Sequence, residues 1–164
     1  MRYQHITLEE KTAIEELSKL ASAIVKEHYD PILGSEQNDY MIEKFQSVKA
    51  LTEQLEHGYQ YYMVYHKEQE KAGFLAFYKR NQELYLSKLY LKRECRGKGL
   101  SKDMLEFVRA QAKHMGVSTI SLNVNKYNPS IAAYEKLGFE RTGEEKNPIG
   151  NGYFMDDYVY SLKV

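Results

Sequence analysis

A mixed α/β (α+β) fold, with a mostly antiparallel, twisted sheet flanked by helices, is predicted by three features of this 164-residue sequence. Apolar residues recur at three- and four-residue spacing through much of the first 58 positions, the period of an amphipathic helix. Three short runs rich in Tyr, Phe, Leu and Val then follow one another across short turns, as in an antiparallel meander. Beyond Gly99 strand-like and helix-like segments alternate, and strand–helix–strand units place a parallel pair at the sheet centre. A chain of this length fits one domain, residues 1–164, and buries roughly 70% of its unfolded surface without needing a staple.

The first element runs from Leu8 to about Tyr29, with Ile14, Leu17, Leu20, Ala21, Ile24, Val25 and His28 on one face. Thr7 stands at its N-cap with Glu10 three residues on, the spacing of a capping box. Asp30-Pro31-Ile32-Leu33-Gly34 is expected to break this helix, because proline lacks the donor that an internal turn requires. Ser35 opens a second periodic segment through Tyr40, Met41, Phe45, Val48, Leu51 and Leu55 to Gly58, as one helix or two. Strands are expected at 59–66, 72–79 and 84–91, joined by turns at Lys67–Lys71 and Arg80–Glu83. Leu100, Met104, Leu105, Phe107, Val108, Ala112 and Met115 mark a helix closed by Gly116. A buried strand at 118–124, a short helix at 130–137 ended by Gly138, and strands at 139–145 and 153–162 complete the chain.

Lys plus Arg (23) cancels Asp plus Glu (23), so global charge argues for neither nucleic acid nor an anionic membrane as partner. Any anion site is therefore local. The single Cys95 forms no intramolecular disulfide, and no Cys/His cluster has zinc-ligand spacing, so no metal is expected. No stretch approaches the roughly 18 apolar residues of a membrane span, and no signal-peptide run opens the sequence, which makes a cytoplasmic location the default. Fifteen Tyr and six Phe with no Trp supply large surfaces with a polar tip, most simply as scattered half-buried side chains.

The most informative stretch is 84–99, where an apolar strand runs into Lys92-Arg93-Glu94-Cys95-Arg96-Gly97-Lys98-Gly99 and then directly into an amphipathic helix. Glycines let backbone approach a ligand closely, and a helix start presents unpaired N–H groups at the positive end of its dipole. Arg93, Arg96, Lys98 and Lys102 add positive charge there, which makes a phosphate or pyrophosphate seat. Neither a Walker A loop nor a dinucleotide fingerprint fits, since Lys102 takes the third glycine position. A second cluster follows: Asn123, Asn125 and Asn128, then Pro129-Ser130 opening a helix that carries Tyr134.

Together, Arg96-Gly97-Lys98-Gly99-Leu100-Ser101 and Tyr134-Glu135-Lys136-Leu137-Gly138-Phe139 resemble the two motifs of the GNAT acetyltransferase superfamily, in the right order on the right elements. The motif-bearing match spans 84–142, and the order of helices and strands extends the resemblance over nearly the whole chain. It implies that acetyl-CoA is bound as acyl donor through Leu89, Tyr90 and Leu91 on the strand, with main-chain groups of Leu89 and Leu91 pairing with the pantetheine arm. It also implies that Arg96, Gly97, Lys98, Gly99, Leu100 and Ser101 cradle the pyrophosphate, that Asn128 and Ser130 contact CoA, and that Tyr134 protonates the departing thiolate. The reaction so implied is N-acetylation of a primary amine by direct attack, a small amine or polyamine first, a protein N-terminus or lysine second; a non-catalytic acyl-CoA sensor is the alternative of another class. A homodimer is compatible with such a family.

Three positions depart from the pattern. Ser101 replaces the usual Gly or Ala and adds a hydroxyl donor, and Tyr127 holds the place of a family Asn. Polyamine-type relatives carry a strand Glu that assists deprotonation of the amine, and the matching residue here is Ser87. In the acceptor half, His28-Tyr29-Asp30, Glu36, Asp39-Tyr40 and Met155-Asp156-Asp157-Tyr158 line either a cation pocket or ordinary caps, turns and surface.

Overall fold

The computed structural model describes residues 1–67 and 70–164; Glu68 and Gln69, in the turn expected at Lys67–Lys71, lie outside the described residues. Among the described residues seven strands form one mixed sheet in the order β1-β2-β3-β4-β5-β7-β6. The chain groups into two compact units, Met1–Tyr78 with Lys88–Asp103 and Lys79–Ser87 with Met104–Val164.

The first unit holds β1 (Arg2–Ile6), α1 (Lys11–Leu33), α2 (Ser35–Gln46), α3 (Val48–Glu56) and β2 (Gln60–Tyr65). It also takes most of β3 (Lys71–Arg80), the last four residues of β4 (Glu83–Leu91), a 3-10 turn at Arg93–Cys95 and the first turn of α4 (Leu100–His114). Its core joins Ile14, Leu17, Ala21 and Ile24 of α1 and Leu51 of α3 to Tyr61, Met63, Phe74 and Ala76 of the strands. Each of the large aliphatic and Phe side chains among them contributes roughly 1.5–3 kcal/mol by leaving water.

β1 is an element the sequence patterning does not announce. It pairs antiparallel with β2, but only Ile6 of its five residues is buried, so it carries no apolar period. The expected break at Pro31 does not occur either, and α1 runs on to Leu33. Asp30, just before the proline, is pinned by the Asn38 amide at 2.8 Å and by Lys26 at 3.0 Å, and Gly34 N–H closes the last turn onto the Asp30 carbonyl. At the other end Glu10 accepts from the Thr7 N–H and hydroxyl at 3.0 and 2.8 Å, so the expected capping pair forms a turn ahead of the helix, which starts at Lys11 rather than Leu8. The segment from Ser35 to Gly58 is two helices, because Ser47 is extended and its hydroxyl caps α3 by accepting from Ala50 N–H at 3.1 Å.

The second unit contains the start of β4, most of α4, β5 (Thr119–Asn125), α5 (Ser130–Lys136), β6 (Glu140–Gly150) and β7 (Tyr153–Lys163). β4 and β5 pair in parallel at Leu84↔Ile120 and Tyr85↔Ser121, the crossover that the α4 segment requires. β7 lies between β5 and β6, antiparallel to both. β6 runs five residues beyond the expected Glu145, into the two-residue turn Asn151-Gly152. Both turn residues have left-handed φ, 55° and 78°, and Asn-Gly is the pair that a type I′ hairpin favours; this signal was present in the sequence.

Candidate functional site

In the first unit β3 fixes the direction of the β4 backbone. Lys92 N–H donates to the Ala72 carbonyl at 2.8 Å, and the Tyr90 carbonyl presses so close to Gly73 that a Cβ there would sit 2.0 Å from its oxygen. Main-chain groups alternate along a strand, so Tyr90 and Lys92 point to β3 while the N–H and C=O groups of Leu89 and Leu91 point to the opposite edge of β4. The Tyr90 ring lies among Phe74, Tyr29 and His28. Arg96 closes the following loop by donating from Nε and Nη2 to the Leu91 carbonyl at 3.2 and 3.0 Å, and its guanidinium also lies 3.6 Å from Glu27. Its side chain thus holds the loop to the strand, which leaves the exposed Lys98 and Lys102 as the outward cations.

Gly97 and Gly99 both adopt left-handed φ, 76° and 77°, with open space where a Cβ would stand, so glycine is required for its conformation rather than its size. The loop delivers the chain into α4, where the first-turn N–H groups of Leu100, Ser101 and Lys102 have no partner within the helix. Leu100 itself is buried with Ala72 and Cys95, which anchors the helix start. Positive side chains, open left-handed glycines and a helix N-terminus converge within one short stretch.

In the second unit Asn128 is 6% exposed. Its side-chain oxygen accepts from Ser130 N–H at 2.8 Å, and Asn125 does the same for Tyr127 N–H at 2.9 Å, so these Asx turns set the start of α5. The helix ends in a Schellman motif: Phe139 N–H bonds the Tyr134 carbonyl and Gly138 N–H bonds that of Glu135, both at 3.1 Å, with Gly138 at φ 103°. The accompanying apolar contact is the Tyr134 ring set edge-on against Phe139, centroids 5.7 Å apart. The Tyr-Glu-Lys-Leu-Gly-Phe sequence is therefore a helix stop that uses the tyrosine ring and main chain.

A family model described as the Acetyltransferase (GNAT) domain matches residues 29–153 of this chain. The chain belongs to the GNAT acetyltransferase family. A curated relative, the 5-NmdU N-acetyltransferase of Pseudomonas phage PaMx11, is 27% identical over 137 residues, covering 82% of this chain and 95% of the relative. The fold matches the PaiA N-acetyltransferase of Thermoplasma acidophilum, solved in complex with coenzyme A, with TM-score 0.80 at 20% identity and full coverage of both chains. It also matches a GCN5-related N-acetyltransferase from Rhodopseudomonas palustris with TM-score 0.79 at 11% identity, covering 99% and 95% of the two chains.

This GNAT acetyltransferase is thus an N-acetyltransferase with acetyl-CoA as its acyl donor. Its loop fits that donor: Gly97 and Gly99 leave open space before the α4 N-terminus, Lys98 and Lys102 are exposed beside it, and the Asp103 carboxylate accepts from Tyr3 at 2.5 Å. Among the described residues no group of three His, Cys, Asp or Glu side chains is placed to hold a metal ion.

The acidic candidates of this GNAT enzyme divide cleanly. Asp30 and Asp39 share Lys26, at 3.0 and 2.9 Å, and tie α1 to α2. Asp156 and Glu144 share Lys126, at 3.1 and 2.5 Å, and hold its amine well above the usual lysine range by hydrogen bonding. Asp157 is different: 4% exposed, it has among the described residues only the Asn123 amide as side-chain donor, at 3.5 Å, and burial pushes its carboxyl up to about 6. Lys88, which sequence reasoning did not single out, is buried beside Ser87 and donates to the Phe45 carbonyl, Gln46 Oε1 and Gln54 Oε1 at 2.8, 2.9 and 3.2 Å. It caps the C-terminus of α2, where the helix dipole favours a cation, while burial lowers its amine to about 7.

Proposed function

We propose that this enzyme transfers the acetyl group of acetyl-CoA to a primary amine by direct attack, with a small amine or polyamine as acceptor. The observation that carries the reading is the continuous run from the Leu89 and Leu91 edge of β4, through the left-handed glycines, into the α4 N-terminus. In this reading the N–H groups of Gly97 to Ser101 and the amines of Lys98 and Lys102 hold the pyrophosphate, and the Ser101 hydroxyl adds a donor. Leu89 and Leu91 orient the pantetheine arm through main-chain hydrogen bonds, and strand N–H groups polarise the reacting carbonyl. Acetyl-CoA supplies the activated acyl group.

The remaining work is proton transfer. An alkylammonium of pKa near ~10.4 must lose a proton before its nitrogen attacks, and a thiol of pKa near ~8.5 must regain one as it leaves. The Tyr134 hydroxyl gives that second proton. The phage relative, an N-acetyltransferase by name, supports nitrogen as the acceptor atom.

The test is release of CoA thiol with n-butylamine, 1,4-diaminobutane, spermidine, 5-NmdU and a short peptide offering an N-terminus and a lysine. Turnover with the alkylamines is expected. Turnover confined to the peptide or to 5-NmdU would replace the proposed acceptor class.

A further inference from the structure

The first turn of α4 carries its own competitor for the donor's phosphates. Asp103 N–H closes that turn onto the Gly99 carbonyl at 3.4 Å, so the Asp103 side chain starts one turn beyond the glycine loop. Side chains of a helix lean toward its N-terminus, which turns this exposed carboxylate toward the N–H groups of Leu100, Ser101 and Lys102. Those donors, at the positive end of the helix dipole, suit a carboxylate as well as they suit a phosphate. Left to itself, Asp103 would compete for the place where the pyrophosphate is to sit.

The fold gives it another partner. The Tyr3 hydroxyl donates to Asp103 Oδ1 at 2.5 Å, a charge-assisted bond between residues 100 positions apart. β1 sets the direction of this phenol. Ile6 of that strand is buried in the α1 core, and side chains alternate along a strand, so Tyr3 points to the opposite face, in register with Val64 of β2 and, beyond it, Gly73 of β3. On the helix side, Leu100 is buried with Ala72 and Cys95, which fixes the start of α4 against β3. Burial and the Asp103 carboxylate both push the Tyr3 phenol up, so it stays a donor throughout the neutral range. Every residue in this arrangement belongs to the first compact unit.

We propose that Tyr3 is a positioning residue of the donor site: by holding the Asp103 carboxylate to β1, it keeps the α4 N-terminus open to the pyrophosphate. The proposal rests on the donor seat given above. It also accounts for β1, an edge strand that buries only Ile6 yet carries the hydroxyl that clears the helix start. The effect is on donor affinity, through the direction of one carboxylate.

CoA affinity is measured by calorimetry on the full-length chain and on Tyr3→Phe, Asp103→Asn and the double variant, at low and at high salt. Tyr3→Phe keeps the ring and releases the carboxylate, so CoA affinity is expected to fall roughly 5-fold at low salt and by less at high salt. Asp103→Asn removes the competing charge and is expected to bind CoA at least as tightly as wild type. The double variant is expected to match Asp103→Asn, because a hydroxyl that acts through the carboxylate has nothing to hold once the carboxylate is gone. A phenol that merely supported β1 would give the same loss in either background.

Wild-type affinity in Tyr3→Phe would overturn the proposal, as would a double variant as weak as Tyr3→Phe or a loss that salt leaves unchanged. Weaker binding by Asp103→Asn overturns it from the other side, since the carboxylate would then assist the donor. That variant alters one exposed side chain and decides the matter even where Tyr3→Phe fails to fold. Gly99→Asp, measured alongside, separates the two readings. If it weakens CoA binding and Tyr3→Phe does not, the seat stands and Tyr3 loses its role; unchanged affinity in Gly99→Asp removes the seat and the positioning together.

Discussion

Tyr134 divides its side chain between two tasks, and the division can be tested. Its ring and carbonyl belong to the Schellman stop of α5, whereas the proposed acid is the hydroxyl alone. Tyr134→Phe should therefore melt as wild type and bind acetyl-CoA as wild type, yet turn over roughly 10²-fold more slowly where chemistry limits the rate. Equal turnover would return the residue to a purely structural role. Lys88 offers a second test at this scale. Its amine is lowered to about 7 by burial, so between about pH 7 and ~10.4 the unfolded chain holds a proton that the native chain has released. Stability should consequently climb with pH across that window in wild type. Lys88→Met should flatten the climb and cost roughly 1–3 kcal/mol near neutrality, because Gln46 Oε1 loses its donor. Urea titrations of both proteins between pH 6 and 10 decide it.

Among the elements, the glycine loop is the one whose sequence prescribes its shape. Gly99→Asp places a strained side chain and a like charge at the proposed phosphate seat, so CoA affinity measured by calorimetry should fall at least ~10-fold in a folded protein, the equivalent of about 1.4 kcal/mol. Unchanged affinity would remove the loop from the site. Periodicity made α4, β5 and β7 legible because each has a distinct apolar face, and the Gly97 and Gly99 positions were legible because no other residue tolerates that φ cheaply. β1 was hidden because a polar edge strand buries only Ile6. The continuation through Pro31 was hidden because the Asn38 amide that pins Asp30 comes from the next helix. The Asp157 face was only half legible: the Asp156-Asp157 pair was visible, but its sorting into one paired and one unpaired carboxylate depends on Lys126, thirty positions earlier.

For the molecule as a whole, resistance to opening should be uneven in a predictable way. β7 is hydrogen-bonded along both edges, β6 closes one end of the strand order, and α5 buries none of its residues. Native-state hydrogen exchange should accordingly find the α5 amides opening first and those of β5 and β7 last; slow exchange throughout α5 would contradict this. The division into compact units has another consequence. Each is assembled from two separated stretches of chain, and the boundaries fall inside β3, β4 and α4 rather than in loops. Exchanging one unit alone between related genes therefore takes three crossovers, one inside each of β3, β4 and α4, and a crossover at any loop from Gly34 to Gly99 splits at least one unit. A cassette cut at the loops of this chain thus carries neither unit whole and by itself.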